Sequence, residues 1–143
     1  MEKIKVAIIG TGNIGTDLLM KVIKSDILSI TAFVWRRMDS PGVQLAIQYN
    51  INISSEGIDY FIKNPHICDI VYDCTNAEYA KQNAEIFKSQ NIKVIDLTPA
   101  KVGEMIIPSI NGNNIVNVNN VNMITCGGQA SIPLLNLISL YSK

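Results

Sequence analysis

The sequence predicts an α/β domain built on a doubly wound, mostly parallel sheet with helices on both faces. Three observations carry that expectation. Short β-type runs alternate with segments of helical period along most of the chain, the pattern that gives a parallel sheet. A Gly-x-Gly-x-x-Gly turn joins the first such run to the first helical segment. The 143 residues, 48% hydrophobic and 17% charged, suffice for one globular domain with a substantial apolar core.

In chain order, residues 5–9 read as a buried strand and residues 10–12 as a turn. The helix expected from about 13 to 24 places Ile14, Leu18, Leu19, Val22 and Ile23 at helical spacing. Residues 27–35 read as a second strand. Pro41 suits the first turn of a short helix through Ala46. A brief third strand is expected over 51–53. Ser55-Glu56-Gly57 then introduces a helix through Ile62 that Asn64-Pro65 ends. A strand over 70–73, a helix over 77–89 and a strand over 93–96 follow. Beyond Thr98-Pro99 the pattern loosens into turns until a last strand over 122–125, which feeds a helix after Cys126. No internal repeat or low-complexity linker interrupts this order.

Composition narrows the function classes. Twelve basic and twelve acidic side chains cancel, which argues against a nucleic-acid or anionic-membrane surface. No apolar run approaches the length of a membrane helix, and the one at the N-terminus is too short for a secretion signal. Cys68, Cys74 and Cys126 are odd in number and show no paired spacing, as expected of reduced thiols in the cytoplasm. The same lack of spacing argues against a metal site built from His66 and these cysteines. His66, in Asn64-Pro65-His66, reads as a loop cap rather than a catalytic base.

Gly10-Thr11-Gly12-Asn13-Ile14-Gly15 follows a strand and opens a helix, and that context turns a weak motif into a dinucleotide-binding expectation for a Rossmann-type domain. The first glycine allows the tight turn and the second a close approach of the backbone to a pyrophosphate. The third lets helix and strand pack, while the helix N-terminus offers N–H donors to phosphate. About twenty residues on, an acidic residue usually holds the adenosine ribose. Here the sequence reads Val34-Trp35-Arg36-Arg37-Met38-Asp39. Arg36 and Arg37 suit stacking on adenine or pairing with a 2′-phosphate, which keeps NADP open beside NAD; the alternative is a solvated loop.

Cys126 falls where the last strand meets the last helix, at the carboxyl edge of the sheet, where such folds bind ligands. A helix N-terminus favours the thiolate. Gly127 and Gly128 leave backbone room, and N–H groups there would stabilise an oxyanion on an attacked carbonyl. Thiol and nicotinamide together suggest oxidation of an aldehyde through a thioester. The competing reading is a small buried hydrophobe. Cys68 and Cys74, flanking the strand over 70–73, read as core or strand-end thiols.

These stretches resemble the acetylating acetaldehyde dehydrogenases, which convert aldehyde to acyl-CoA and partner an aldolase in aromatic degradation. The resemblance rests on residues 5–18, on Ile95-Asp96-Leu97-Thr98-Pro99-Ala100, and above all on residues 120–133 with Thr125-Cys126-Gly127-Gly128-Gln129. It implies NAD as cofactor, contacts from Thr11 to Ile14, coenzyme A and a short aldehyde as substrates, and Cys126 as the nucleophile. It covers essentially the whole chain but only the first half of such an enzyme, whose second half holds substrate and dimerises. The chain departs from the family at Trp35-Arg36-Arg37, where many relatives have Gly-Ile-Asp. It departs again after Asp73, where it reads Cys74-Thr75-Asn76-Ala77-Glu78-Tyr79.

No general base is evident near Cys126, and the expected truncation accounts for it. The C-terminal helix carries Ile132, Leu134, Leu135, Leu137, Ile138, Leu140 and Tyr141 around nearly its full circumference. That predicts a homo-oligomer, or a complex with a separate second half, with this helix at the contact. Two alternatives stand beside the acylating dehydrogenase: a dinucleotide-binding module without turnover, and a semialdehyde dehydrogenase of the same architecture.

Overall fold

In the computed structural model, residues 2–35, 40–115 and 117–142 are described. Strand β1 (Ile4–Ile9) leads through the glycine turn into α1 (Asn13–Ile23), and β2 (Leu28–Val34) into α2 (Pro41–Gln48). The two-residue β3 (Ile53–Ser54) precedes α3 (Ile58–Lys63); β4 (Ile70–Asp73) precedes α4 (Ala77–Ser89). Then come β5 (Lys93–Asp96), β6 (Glu104–Met105), the short α5 (Pro108–Asn111), β7 (Asn120–Asn122) and α6 (Cys126–Tyr141). All strand pairs are parallel, in the order β3-β2-β1-β4-β5-β7-β6. This is the expected Rossmann-type α/β architecture, and the order reverses direction between β1 and β4.

Alternation along the strands sorts the core onto two faces. Ala7, Ile9, Ala32, Val34, Val71 and Val94 pack with Phe61 of α3 and Phe87 of α4, whose rings meet edge-on at 5.1 Å. Ile8 and Phe33 point the other way, onto Leu19 of α1 and Ala46 of α2. Strands buried on both faces have no polar alternation, so residues 6–9 of β1 read as a continuous apolar run.

Three expectations change. The brief third strand is Ile53–Ser54 rather than 51–53, where the backbone pairs with Phe33 and Val34 of β2. The last strand occupies 120–122 rather than 122–125, because the chain leaves the sheet at Asn122. The Asn122 side-chain oxygen accepts the N–H of Ile124 at 2.9 Å, and Ile124 adopts φ of 61°. Such a conformation is unusual for a β-branched residue and incompatible with a continuing strand. Within the stretch expected to be turns, β6 and α5 form. β6 has no hydrophobic alternation of its own and is defined only by its pairing to β7.

Candidate functional site

The strand register brings the carboxyl ends into one row, with Val34, Ile9, Asp73, Asp96 and Asn122 side by side across β2, β1, β4, β5 and β7. Every candidate residue within the described chain except His66 and Cys68 lies at or just beyond this edge.

At the reversal between β1 and β4, the glycine turn is shaped by its neighbours. Gly10 has φ of +101°, and a Cβ there would meet the Cys74 carbonyl oxygen at 2.5 Å. A Cβ on Gly15 would come within 2.0 Å of the Gly10 oxygen, so helix and turn touch backbone to backbone. Above Gly12 there is open space, nothing within 4 Å of a Cβ. Gly12 is the N-cap of α1, no side chain caps this helix, and no acidic residue occupies its first turn. The leading amides of α1 are therefore left for an outside acceptor, and an anion suits them. The Ser40 hydroxyl braces the turn by donating to the Thr11 carbonyl. Asn13 and Ile14 are exposed, and Thr11 is half-buried.

Beside this turn lies a cavity of about 410 Å³ lined by Gly10, Thr11, Trp35, Thr75, Asn76 and Tyr79, among others. Here the contrast with α1 is plain: α4 is capped by Asn76, whose side-chain oxygen accepts from the N–H groups of Glu78 and Tyr79. Trp35 is buried, and its indole N–H has no hydrogen-bond partner among the described residues. Open room over Gly12, uncapped α1 amides and an unpartnered donor in the wall fit the phosphate and sugar oxygens of a dinucleotide.

The buried polar residues of the strand ends were not foreseen. Asp73 accepts from Thr75 N–H at 3.0 Å and from the Asn83 amide at 2.9 Å. Asp96 accepts from Thr98 N–H at 2.7 Å and from the Asn122 amide at 2.8 Å. Asn122 also donates to the Thr98 carbonyl, at 3.0 Å. Three successive core strands thus end in the same device, an Asp or Asn oxygen turning back the N–H two residues on. A sequence signal exists for it: Asp73-Cys74-Thr75 and Asp96-Leu97-Thr98 share the pattern Asp-x-Thr at strand ends. Burial raises the Asp73 carboxyl above its ordinary value; hydrogen bonds from Thr75 and Asn83 oppose this, and nearby Asp96 adds to it.

Three strands along from β1, Cys126 is the first residue of α6 and is exposed, so the space-filling reading fails for it. Thr125 is the N-cap, and its hydroxyl accepts the Gly128 N–H at 2.9 Å. That bond commits the Gly128 amide, so the oxyanion donors expected at both glycines reduce to the turn's leading amides. Gly127 has open space around it. The helix start is tied down by Gln129, whose amide donates to the carbonyls of Ile106 at 2.6 Å and Met123 at 2.8 Å. Beyond this anchor α6 has no buried residue, and Leu134, Leu135, Leu137, Ile138, Leu140 and Tyr141 are all exposed.

Arg36 and Arg37 lie outside the described residues. Cys68 is a core residue and Cys74 a half-buried strand-end thiol; burial, with neighbouring carboxylates, pushes both up to about 12. His66, with φ of 67°, lies with Ile4, Asp69 and Lys93 at the opposite edge of the sheet. Among the described residues no group of three or more His, Cys, Asp or Glu side chains is placed to hold a metal ion. No described helix is long and apolar enough to cross a membrane.

Comparison with known proteins agrees with this geometry. The chain is 44% identical over 140 residues to an acetaldehyde dehydrogenase of Pectobacterium atrosepticum, covering 96% of this chain and 47% of that protein. It is 47% identical over 133 residues to one of Spirochaeta aurantia, covering 93% of this chain and 45% of the relative. The chain thus spans about half the length of the curated relatives it matches. Among solved structures, aspartate semialdehyde dehydrogenase with NADP from Candida albicans superposes with a TM-score of 0.70 at 15% identity, over 99% of this chain and 48% of that one; at that identity the likeness speaks to the fold. Residues 5–118 match the family described as semialdehyde dehydrogenase, NAD binding domain, and it is to this family that the chain belongs.

Proposed function

We propose that this chain is the dinucleotide-binding and nucleophile-bearing part of a CoA-acylating aldehyde dehydrogenase acting on acetaldehyde or another short aldehyde. The observation that carries the reading is the pairing, on one sheet edge, of an uncapped α1 behind a glycine turn with an exposed Cys126 at the start of α6. Gly10, Thr11, Gly12, Asn13, Ile14 and Gly15 would hold the pyrophosphate, with Arg37 as the candidate for a 2′-phosphate. Three strand spacings, roughly 14 Å, separate β1 from β7, so the residues that would hold the cofactor and the thiol share one sheet edge.

The Cys126 thiolate would add to the aldehyde carbon, forming a C–S bond and an alkoxide. Amides in the first turn of α6 would stabilise that alkoxide. A bound NAD (or NADP) supplies the acceptor for the hydride that leaves this carbon. The carbonyl re-forms as a thioester on Cys126. Coenzyme A, its thiol proton passing to solvent, then attacks the thioester and releases the Cys126 thiolate to give acyl-CoA. The general base, the aldehyde pocket and the CoA site would belong to a second half or to another copy covering the apolar face of α6. An aldolase partner is proposed on the sequence resemblance alone, and a cytoplasmic setting on the three free cysteines.

The test is an assay of acetaldehyde, coenzyme A and NAD with NADH absorbance as readout, for this chain and for Cys126→Ser. NADH formation that needs coenzyme A and is lost in the variant supports the reading. Sustained turnover by this chain excludes a dinucleotide-binding module, whereas NAD binding without any NADH leaves the incomplete-enzyme reading standing beside it. The likeness to aspartate semialdehyde dehydrogenase favours a second reading, a semialdehyde substrate, and replacing acetaldehyde by a semialdehyde in the same assay separates the two.

A further inference from the structure

Trp35 follows β2 directly, and its backbone N–H still donates to the Ser54 carbonyl of β3 at 2.9 Å, so the sheet fixes where its side chain starts. That side chain lines the 410 Å³ cavity with Gly10, Thr11, Thr75 and Asn76 and is only 3% exposed. Its indole N–H meets no acceptor among the described residues. A buried donor left unpaired is costly, and native structures rarely keep one without a reason. The position adds a reason, since Trp35 directly follows β2, two residues before Arg37, in the stretch where dinucleotide folds hold a carboxylate for the ribose. A carboxylate accepts from a ribose hydroxyl and repels a 2′-phosphate. An indole N–H only donates, and so meets a hydroxyl oxygen or a phosphate oxygen equally.

We propose that Trp35 is the adenosine-end contact of this chain: its indole N–H donates to the 2′-oxygen of the cofactor's adenosine ribose, or to a phosphate carried there. The proposal rests on the dinucleotide reading above. It adds that donation by Trp35, rather than acceptance by a carboxylate, sets recognition of that end, which admits NADP as well as NAD.

Trp35 is the sole tryptophan in the sequence, so intrinsic emission reports on this one side chain. The experiment titrates the protein with NAD, 5′-AMP, 2′,5′-ADP and nicotinamide mononucleotide, following emission and heat in parallel. NAD, 5′-AMP and 2′,5′-ADP should shift and quench the emission, and nicotinamide mononucleotide should leave it unchanged. Trp35→Phe keeps most of the apolar volume and removes the donor. It should weaken 5′-AMP or 2′,5′-ADP by about three- to tenfold, the larger loss marking whether hydroxyl or phosphate is the acceptor. Should that variant misfold, the emission of the unaltered protein still decides. NAD binding by calorimetry with silent emission, or with a folded Trp35→Phe as tight as the parent, overturns this proposal alone. No heat with NAD at all overturns the dinucleotide reading along with it.

Discussion

Helices α1 and α6 both start at the carboxyl edge of the sheet, yet they are built in opposite ways. Helix α1 buries Gly15, Leu19 and Val22 against the sheet and leaves its N-terminus without a side-chain cap. Helix α6 caps its own N-terminus with Thr125 and buries none of its residues. An uncapped end on a firmly packed helix is a fixed set of donors awaiting an acceptor. A capped end on an unpacked helix holds one exposed side chain, Cys126, and leaves an apolar surface for something else to cover. The proposed dinucleotide end therefore has its α1 donors in place among the described residues, while Arg37 lies outside them. At the other end an exposed thiol, proposed as the nucleophile, stands beside an apolar helix face that the described residues leave uncovered.

The largest expected difference concerns the thiols. Cys68 and Cys74, pushed up to about 12 by burial, hold almost no thiolate at neutral pH. Cys126 is exposed. Iodoacetamide at pH 7.5, read by peptide mass mapping, should label Cys126 at least about a hundredfold faster than either. Cys126→Ser should leave the folded protein essentially unlabelled. Faster reaction at Cys68 or Cys74 would remove Cys126 from its proposed role.

Packing gives the next contrast. Leu19→Ala in α1 should cost about 2–5 kcal/mol in urea unfolding, since Leu19 is fully buried. Leu135→Ala in α6 should change stability by less than about 0.5 kcal/mol, because Leu135 is 59% exposed. A large loss from Leu135→Ala, growing with protein concentration, would show that α6 packs against another copy. Sedimentation at micromolar concentration would then confirm the association.

The smallest effect is a pH dependence. Burial holds the folded Asp73 carboxyl above its ordinary value of 3.8, against the opposing hydrogen bonds of Thr75 and Asn83. The folded state then keeps a proton that the unfolded chain releases. Stability should therefore fall as pH rises from about 3.8 through the raised value, and recover on acidification through the same window. Asp73→Asn should flatten this part of the profile between about pH 4 and 7. Urea midpoints at the two pH values, compared between parent and variant, read the slope directly. An equal slope in both would mean that Asp73 does not titrate apart from the other carboxyl groups.

The unequal building of α1 and α6 also divides what could be read early from what could not. Residues 4–23 were legible because every signal there is local: an apolar run, three glycines at fixed spacing, then apolar positions at helical period. The same locality revealed Cys126 between a strand and a helix, and the apolar circumference of α6. β6 stayed hidden because two residues carry no period, and only pairing with β7 makes them a strand. Trp35 looked like the last residue of a strand beside two arginines; that its indole N–H is buried without a partner among the described residues depends on β3, β4 and the glycine turn converging around it.

By itself, then, the sequence determined the strand–turn–helix that opens the domain, the alternation that winds helices on both faces, and a thiol at a helix start. Those are properties of neighbouring residues, set by backbone conformation and hydrophobic period. Tertiary structure decided the strand order, with β7 lying between β5 and β6. It also decided the row of Asp73, Asp96 and Asn122 that this order aligns, and which helix ends are satisfied from within. Each of these depends on register between segments distant in the chain. Hydrogen bonds such as that from Asn122 to Asp96 exist only once parallel strands have paired, and no local pattern encodes which strand lies next to which.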